Sequence, residues 1–136
     1  MIKITKFKEY IIDSEQTIRQ SVIKLGKLKK KFCIVVDKNN KYIGTLTDGD
    51  IRRGLLLNFT LKNKIKDVCN NKSKFVIRSM PQNKIKKFFQ KKDILFLPII
   101  NNLKKVTGVY YFSDIEYLNT IENEMIIMAG GKGRRL

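Results

Sequence analysis

Two short stretches of this chain carry residue types that do chemistry. The first is GTLTDGDI, Gly44 to Ile51, in which a strand-like run delivers Thr47 and Asp50 three residues apart. A hydroxyl and a carboxylate at that spacing suit two tasks. They close a helix N-terminus reciprocally, each side chain accepting the other residue's backbone amide. A helix end capped in this way also presents its positive dipole and free amides to a phosphate. Arg52 and Arg53 follow in the first turns, where they either neutralise phosphates or form a solvated face. The second stretch is MIIMAGGKGRRL, Met125 to Leu136, an apolar run entering a loop with Gly130, Gly131 and Gly133, followed by Arg134 and Arg135. Glycines let backbone amides approach phosphate closely and adopt positive φ angles. There is no His anywhere, and no Ser or Cys stands beside an evident base, so the chain reads as a binder with no catalytic residues of its own.

The first motif sits inside an internal repeat. FCIVVDKNNKYIGTLTDGDIRRGL (Phe32–Leu55) aligns with FLPIINNLKKVTGVYYFSDIEYLN (Phe96–Asn119) at an offset of 64 residues. Phe32 meets Phe96, Val35–Val36 meets Ile99–Ile100, Gly44 meets Gly108, and Asp50–Ile51 meets Asp114–Ile115. The β-branched runs FCIVV and LFLPII suit strands, and DKNNK and NNLKK supply turns. Upstream, Ile18, Val22 and Leu25 fall at helical spacing, as do Ile85, Phe88 and Phe89, the latter set best with a slip of one residue. The weakest strands, EYIID and FVIRS, open the two units. Each unit therefore reads β-α-β-β-α. The fold class is α/β of the α+β kind. Because a unit of about 55 residues buries too little surface alone, the two are expected to pack with pseudo-two-fold symmetry, sheets inside and helices outside, around a cleft.

Composition narrows the partners. With 136 residues and 43% hydrophobic content the chain can bury a real core. No apolar run is long enough to span a bilayer and no signal peptide is evident, so the expected location is cytoplasmic, without a membrane partner. Cys33 and Cys69 have no metal-ligand or redox spacing. The formal charge of +17 raises nucleic acid as a partner, yet 23 of the 29 basic residues are Lys, spread along the whole chain. Arg forks and aromatic platforms would be the stronger sign, so nucleic-acid binding ranks last.

The tandem units resemble a pair of CBS domains (cystathionine-β-synthase-type modules) over roughly residues 10–118. The first copy has the family pattern in full in GTLTDGDI; the second has GVYYFSDI, with Tyr111 where Thr or Ser would stand. The resemblance implies an adenosine-type ligand (AMP, ATP or S-adenosylmethionine) in the clefts between repeats, with Asp on the ribose and Thr or Ser on ribose or phosphate. Carried over, this implicates Thr47 and Asp50 in one cleft and Asp114 in the other. One site is expected rather than two, because Tyr111 is bulky. Arg52 would face phosphate. Ile12 and Ile77, with their neighbours Ile11 and Val76 and the starts of the second strands, are the candidates for an adenine slot. The family also implies homodimers formed through the helices.

The tail resembles the opening strand and nucleotide loop of sugar-1-phosphate nucleotidyltransferases, with Gly130, Gly131, Gly133, Arg135 and Leu136 matching and Arg134 in place of the usual Thr. The organisation expected is thus a first repeat with its N-terminal segment over 1–62, a second over 63–122, and the start of a truncated nucleotidyltransferase domain over 123–136. The resemblance implies a regulatory adenine-nucleotide sensor for an enzyme that makes a nucleotide sugar and diphosphate from a nucleoside triphosphate and a sugar 1-phosphate. Mg²⁺ would serve the missing catalytic domain, and this chain needs no cofactor. The alternative is a ligand-free dimerisation module, in which Thr47 and Asp50 only cap a helix.

Overall fold

The computed structural model describes residues 2–4, 6–90 and 94–112. Its strands are β1 (Ile2–Ile4), β2 (Ile11–Asp13), β3 (Phe32–Val36), β4 (Tyr42–Thr47), β5 (Val76–Ile77), β6 (Phe96–Ile100) and β7 (Val106–Tyr111). The helices are α1 (Ile18–Lys27), α2 (Asp48–Leu56) and α3 (Gln82–Phe89), with single 3₁₀ turns at Lys8–Tyr10 and Ile65–Asp67. They form two sheets, ordered β2-β3-β4 and β1-β7-β6-β5.

The 64-residue offset survives at the level of hydrogen-bond register. Ile12 pairs with Val35 in parallel, as Val76 does with Ile99. Val35 faces Gly44 and Ile99 faces Gly108, and the register shifts next at Val35/Val36 and at Ile99/Ile100. The turns match too. Asp37 Oδ1 accepts the Asn39 and Lys41 amides, Asn101 Oδ1 accepts those of Leu103 and Lys105, and Asn40 and Lys104 carry positive φ of 67° and 63°. One rung differs. Ile11 pairs with Ile34, whereas β5 stops short of the equivalent Pro98, which has no N–H for a ladder.

Two counterparts touch each other directly. Phe32 stacks on Phe96 with ring centroids 4.0 Å apart, and Lys41 forms an antiparallel bridge with Lys105. When a residue contacts its own equivalent, the pair lies on a two-fold axis. The pseudo-dyad therefore runs from the start of β3 and β6 to the start of β4 and β7. Around it β3 is wholly buried, flanked on both edges by β2 and β4. The principal core mixes both repeats, joining Ile34, Leu46 and Ile51 to Val109, with Phe96 packed against it. A smaller cluster of Val76, Ile85, Phe89, Leu97 and Ile99 lies beneath α3.

The helices need no slip. The buried positions of α1 are Ile18, Ser21 and Leu25, and those of α3 are Ile85 and Phe89, so Ser21 and Leu25 answer to Ile85 and Phe89 at the same offset. Val22, placed on the buried face by apolar spacing, is 44% exposed. Ser21 tolerates burial because its hydroxyl donates to the Ile18 carbonyl at 2.6 Å. The first strand is also unexpected: β1 pairs antiparallel with β7, so the N-terminal residues complete the second repeat's sheet.

The segment after α2 stays with the first repeat. Ile65 is fully buried there, and Asn70 forms an antiparallel bridge with Thr45 through N–H···O bonds of 3.1 and 2.8 Å. A methyl group on Gly44 would collide with the Asn70 carbonyl, which leaves room for nothing larger than hydrogen. Gly44→Ala is therefore expected to lower stability by about 1–3 kcal/mol, read as a fall in urea midpoint at unchanged m-value.

Candidate functional site

The end of β4 and the start of α2 position the first chemical motif. Thr47 has extended backbone angles (φ −130°, ψ 170°) and is the N-cap of α2. Its amide donates to Asp50 Oδ2 at 2.9 Å, its hydroxyl donates to the same oxygen at 3.1 Å, and the Asp50 amide donates to Thr47 Oγ1 at 3.4 Å. The capping box is complete. Asp50 is 8% exposed, and its other oxygen, Oδ1, accepts a 2.7 Å bond from Arg53 Nη2. Asp50 and Arg53 are three apart on α2 and so share a face; the Asp50 side chain is 9% exposed, whereas that of Arg53 is 70% exposed.

These groups line a cleft of about 430 Å³ between the repeats. One wall is Thr45, Thr47, Asp50 and Arg53 from β4 and α2. The second is the segment that follows α2, with Asn70, Lys72, Ser73 and Lys74. The third is Ile94, Leu95 and Phe96 at the entry to β6, an apolar surface contributed by the other repeat. The second wall is tied down. Ser73 Oγ lies 2.7 Å from Tyr42 Oη and donates to the Asn70 carbonyl at 3.0 Å, and Phe75 packs edge-on against Tyr42.

Burial pushes the Tyr42 phenol up, against the bond to Ser73. It raises the Cys69 thiol too, with the Asp50 carboxylate adding to the effect, and it takes Cys33 to about 11. Both thiols are free and stay protonated near neutral pH, the opposite of what a nucleophile requires. Among the described residues no three His, Cys, Asp or Glu side chains converge to hold a metal ion.

The residues singled out in sequence fall into three groups. Thr47 and Asp50 meet in the cleft, as does the start of β6, the adenine surface suggested by the second strands. Arg52 is exposed and does not line it; Arg53 takes that place. Ile12 is buried in the core at 3% exposure and Ile77 stands 47% exposed on the edge strand, so neither reaches the cleft. Asp114, Gly130, Gly131, Gly133 and Arg135 lie outside the described residues. Lys72 and Lys74 carry no signal in the sequence, for they occupy an irregular segment with no motif around them.

The other side of the pseudo-dyad is built differently. Tyr111, the counterpart of Thr47, stacks toward Phe32 with centroids 6.1 Å apart, and Lys30 Nζ lies 4.2 Å from its ring centroid. A second cavity of about 430 Å³ opens there, with Lys29, Lys30, Lys31 and Tyr111 meeting Asp48 and Gly49 of the first repeat. Thr47, Leu95 and Phe96 border both cavities, so the two openings share a rim, and on the second side the Tyr111 ring stands where the first has the Thr47 side chain.

Comparison with known proteins agrees with this geometry. A CBS domain is found in residues 6–57. An uncharacterized protein of Helicobacter pylori strain J99 is 26% identical over 106 residues, 77% of this chain and 32% of the relative, so the chain spans about a third of the length of that curated relative. The CBS domain pair of protein MJ0100, solved with 5′-methylthioadenosine and S-adenosyl-L-methionine, superposes with a TM-score of 0.66 at 22% identity, over 81% of this chain and 86% of that one. The cytosolic domain of the Mg²⁺ channel MgtE, solved with ATP, gives 0.66 at 15% identity, over 86% of this chain and 46% of the other. These likenesses establish the fold, that of a CBS pair.

The capping box has a measurable worth of its own. Thr47→Val keeps the shape and removes the hydroxyl, and it is expected to cost about 0.5–2 kcal/mol of stability, measured by chemical denaturation without any ligand.

Proposed function

We propose that this chain is a regulatory module that binds an adenine nucleotide in the cleft between Thr47–Asp50 and Ile94–Phe96. The observation that carries the reading is the meeting, in one cleft, of a buried carboxylate, an apolar surface from the opposite repeat and three cationic side chains, Arg53, Lys72 and Lys74. Apolar lining with a few placed polar groups is the usual make-up of a small-molecule site. The base would lie on Ile94–Phe96, the ribose hydroxyls at Thr47 and Asp50, and phosphate toward the cations. The complexes of the two structural relatives with adenosine compounds support the choice of ligand class.

The larger protein served by the module is proposed to be a sugar-phosphate nucleotidyltransferase. Support comes from the loop sequence of Gly130, Gly131, Gly133 and Arg135, and from relatives that extend well beyond the matched region. In that reading Mg²⁺ belongs to the catalytic domain, the protein is cytoplasmic, and its product is an activated sugar. Among the described residues no helix is long and apolar enough to cross a membrane.

Titration calorimetry with AMP, ATP and S-adenosylmethionine tests the cleft, alongside Asp50→Asn, which keeps an oxygen for the cap. Saturable binding by one of them, weakened about 10- to 100-fold in the variant by loss of a charged acceptor, is the expected result. Silence from all three in the unmodified chain would refute nucleotide sensing.

One observation favours a second reading, an assembly module with an empty cleft. Helices α1 and α2 pack beside each other and leave Val22, Ile23, Leu55 and Leu56 between 43% and 77% exposed. If copies associate through these helices, Leu56→Lys converts a dimer to a monomer in sedimentation equilibrium while the fold, by circular dichroism, is unchanged.

A further inference from the structure

We infer that Arg53 is a built-in competitor for the ribose site, and that it makes the cleft selective for phosphorylated ligands over neutral or cationic adenosine compounds. This deepens the proposed function and rests on it.

Both oxygens of the Asp50 carboxylate are engaged, and the residue is only 8% exposed, so little of its acceptor capacity faces the cleft. Oδ2 accepts the Thr47 amide and hydroxyl in the capping box, and Oδ1 accepts Arg53 Nη2 at 2.7 Å. The cap cannot be surrendered without opening the N-terminus of α2, so a ribose hydroxyl approaches Oδ1, where the guanidinium already covers the accessible side of a nearly buried oxygen and competes for it. The two donors are unequal at the start, since a guanidinium bond to a carboxylate is charge-assisted and a hydroxyl bond is weaker. A ligand wins the exchange only by giving Arg53 another anion.

Arg53 is placed to accept one. Its side chain is 70% exposed and hinged on a helix position, so it swings without disturbing the core. Lys72 and Lys74 line the same cleft from the opposite wall. With Asp50 already paired to Arg53, the lysines leave the cleft with excess positive charge. A 5′-phosphate satisfies that charge and draws Arg53 off Asp50, so the diol docks as the phosphate does. Adenosine brings the diol but no anion to draw Arg53 away. S-adenosylmethionine has one carboxylate to offer, but its sulfonium and ammonium centres leave it net positive, and it meets repulsion in a cationic cleft.

Calorimetry of the chain and of Arg53→Ala with AMP, adenosine and S-adenosylmethionine tests this. Arg53 is exposed and Ala favours helix, so the variant is expected to fold; the thermal midpoint confirms it. In the unmodified chain AMP is expected to bind at least about tenfold tighter than adenosine. In Arg53→Ala the two ligands move in opposite directions: AMP weakens by about tenfold, while adenosine stays level or tightens because its competitor is gone. An equal loss for both ligands, or a preference for S-adenosylmethionine in the unmodified chain, overturns the exchange and leaves nucleotide sensing standing. No binding of any of the three to either protein overturns both.

Discussion

Phe32 and Phe96 lie ring against ring at 4.0 Å, and each is the other's counterpart in the repeat. The remaining architecture depends on that contact. Tyr10 stacks on the far face of Phe32 at 4.6 Å and Tyr111 approaches at 6.1 Å, so four aromatic side chains hold the two halves together. Such rings bury large areas and prefer offset stacking. Setting Phe96 against Phe32 also brings the entry of β6 beside the end of β4. The cleft is a by-product of that closeness: its apolar wall is the approach to one stacking residue, and its polar wall lies at the far end of the hairpin that carries the other.

Symmetry of backbone and asymmetry of side chains then divide the labour. The bulges and the turns are duplicated, and so are the registers save for the rung lost at Pro98. At the critical place the first repeat presents Thr47 and the second presents Tyr111. Thr47 leaves an open cleft with a hydroxyl at its edge, whereas the Tyr111 ring joins the aromatic stack under a lysine ammonium. Asp50 answers to two masters on the open side. In the proposed function the carboxylate that holds α2 to the end of β4 is also the group a ribose seeks, and occupancy of the cleft would then be tied to the local stability of that helix end.

Much of this was legible in the sequence. The strand runs, the glycines and the capping motif are each set by residues a few positions apart, which local spacing reports, and the recurrence of that string 64 residues later reveals the repeat. Burial of Ser21 was not legible, because apolar periodicity sees only the side chain and not the carbonyl that satisfies its hydroxyl. Arg52 and Arg53 look alike in a string; on a helix they point about 100° apart, and only the i, i+3 relation to Asp50 marks Arg53. Ile12 and Ile77 read as equals in weak strands, but one is central to a core and the other stands on an edge. Lys72 and Lys74 became part of the cleft through the Thr45–Asn70 bridge, a long-range pairing that no local pattern announces.

The pairing of β1 with β7 has a consequence in time. Ile2 lies across from Tyr111 in the ladder, so β1 has no strand partner until β7, far along the chain, has been made. A contact of such sequence separation forms late, because its loop-closure entropy is offset only when the intervening structure already exists. Among the described strands, the β1–β7 edge of the second sheet is thus a late seam. Until it is sewn, a three-residue strand and the long edge of β7 are both open to pairing with another nascent chain.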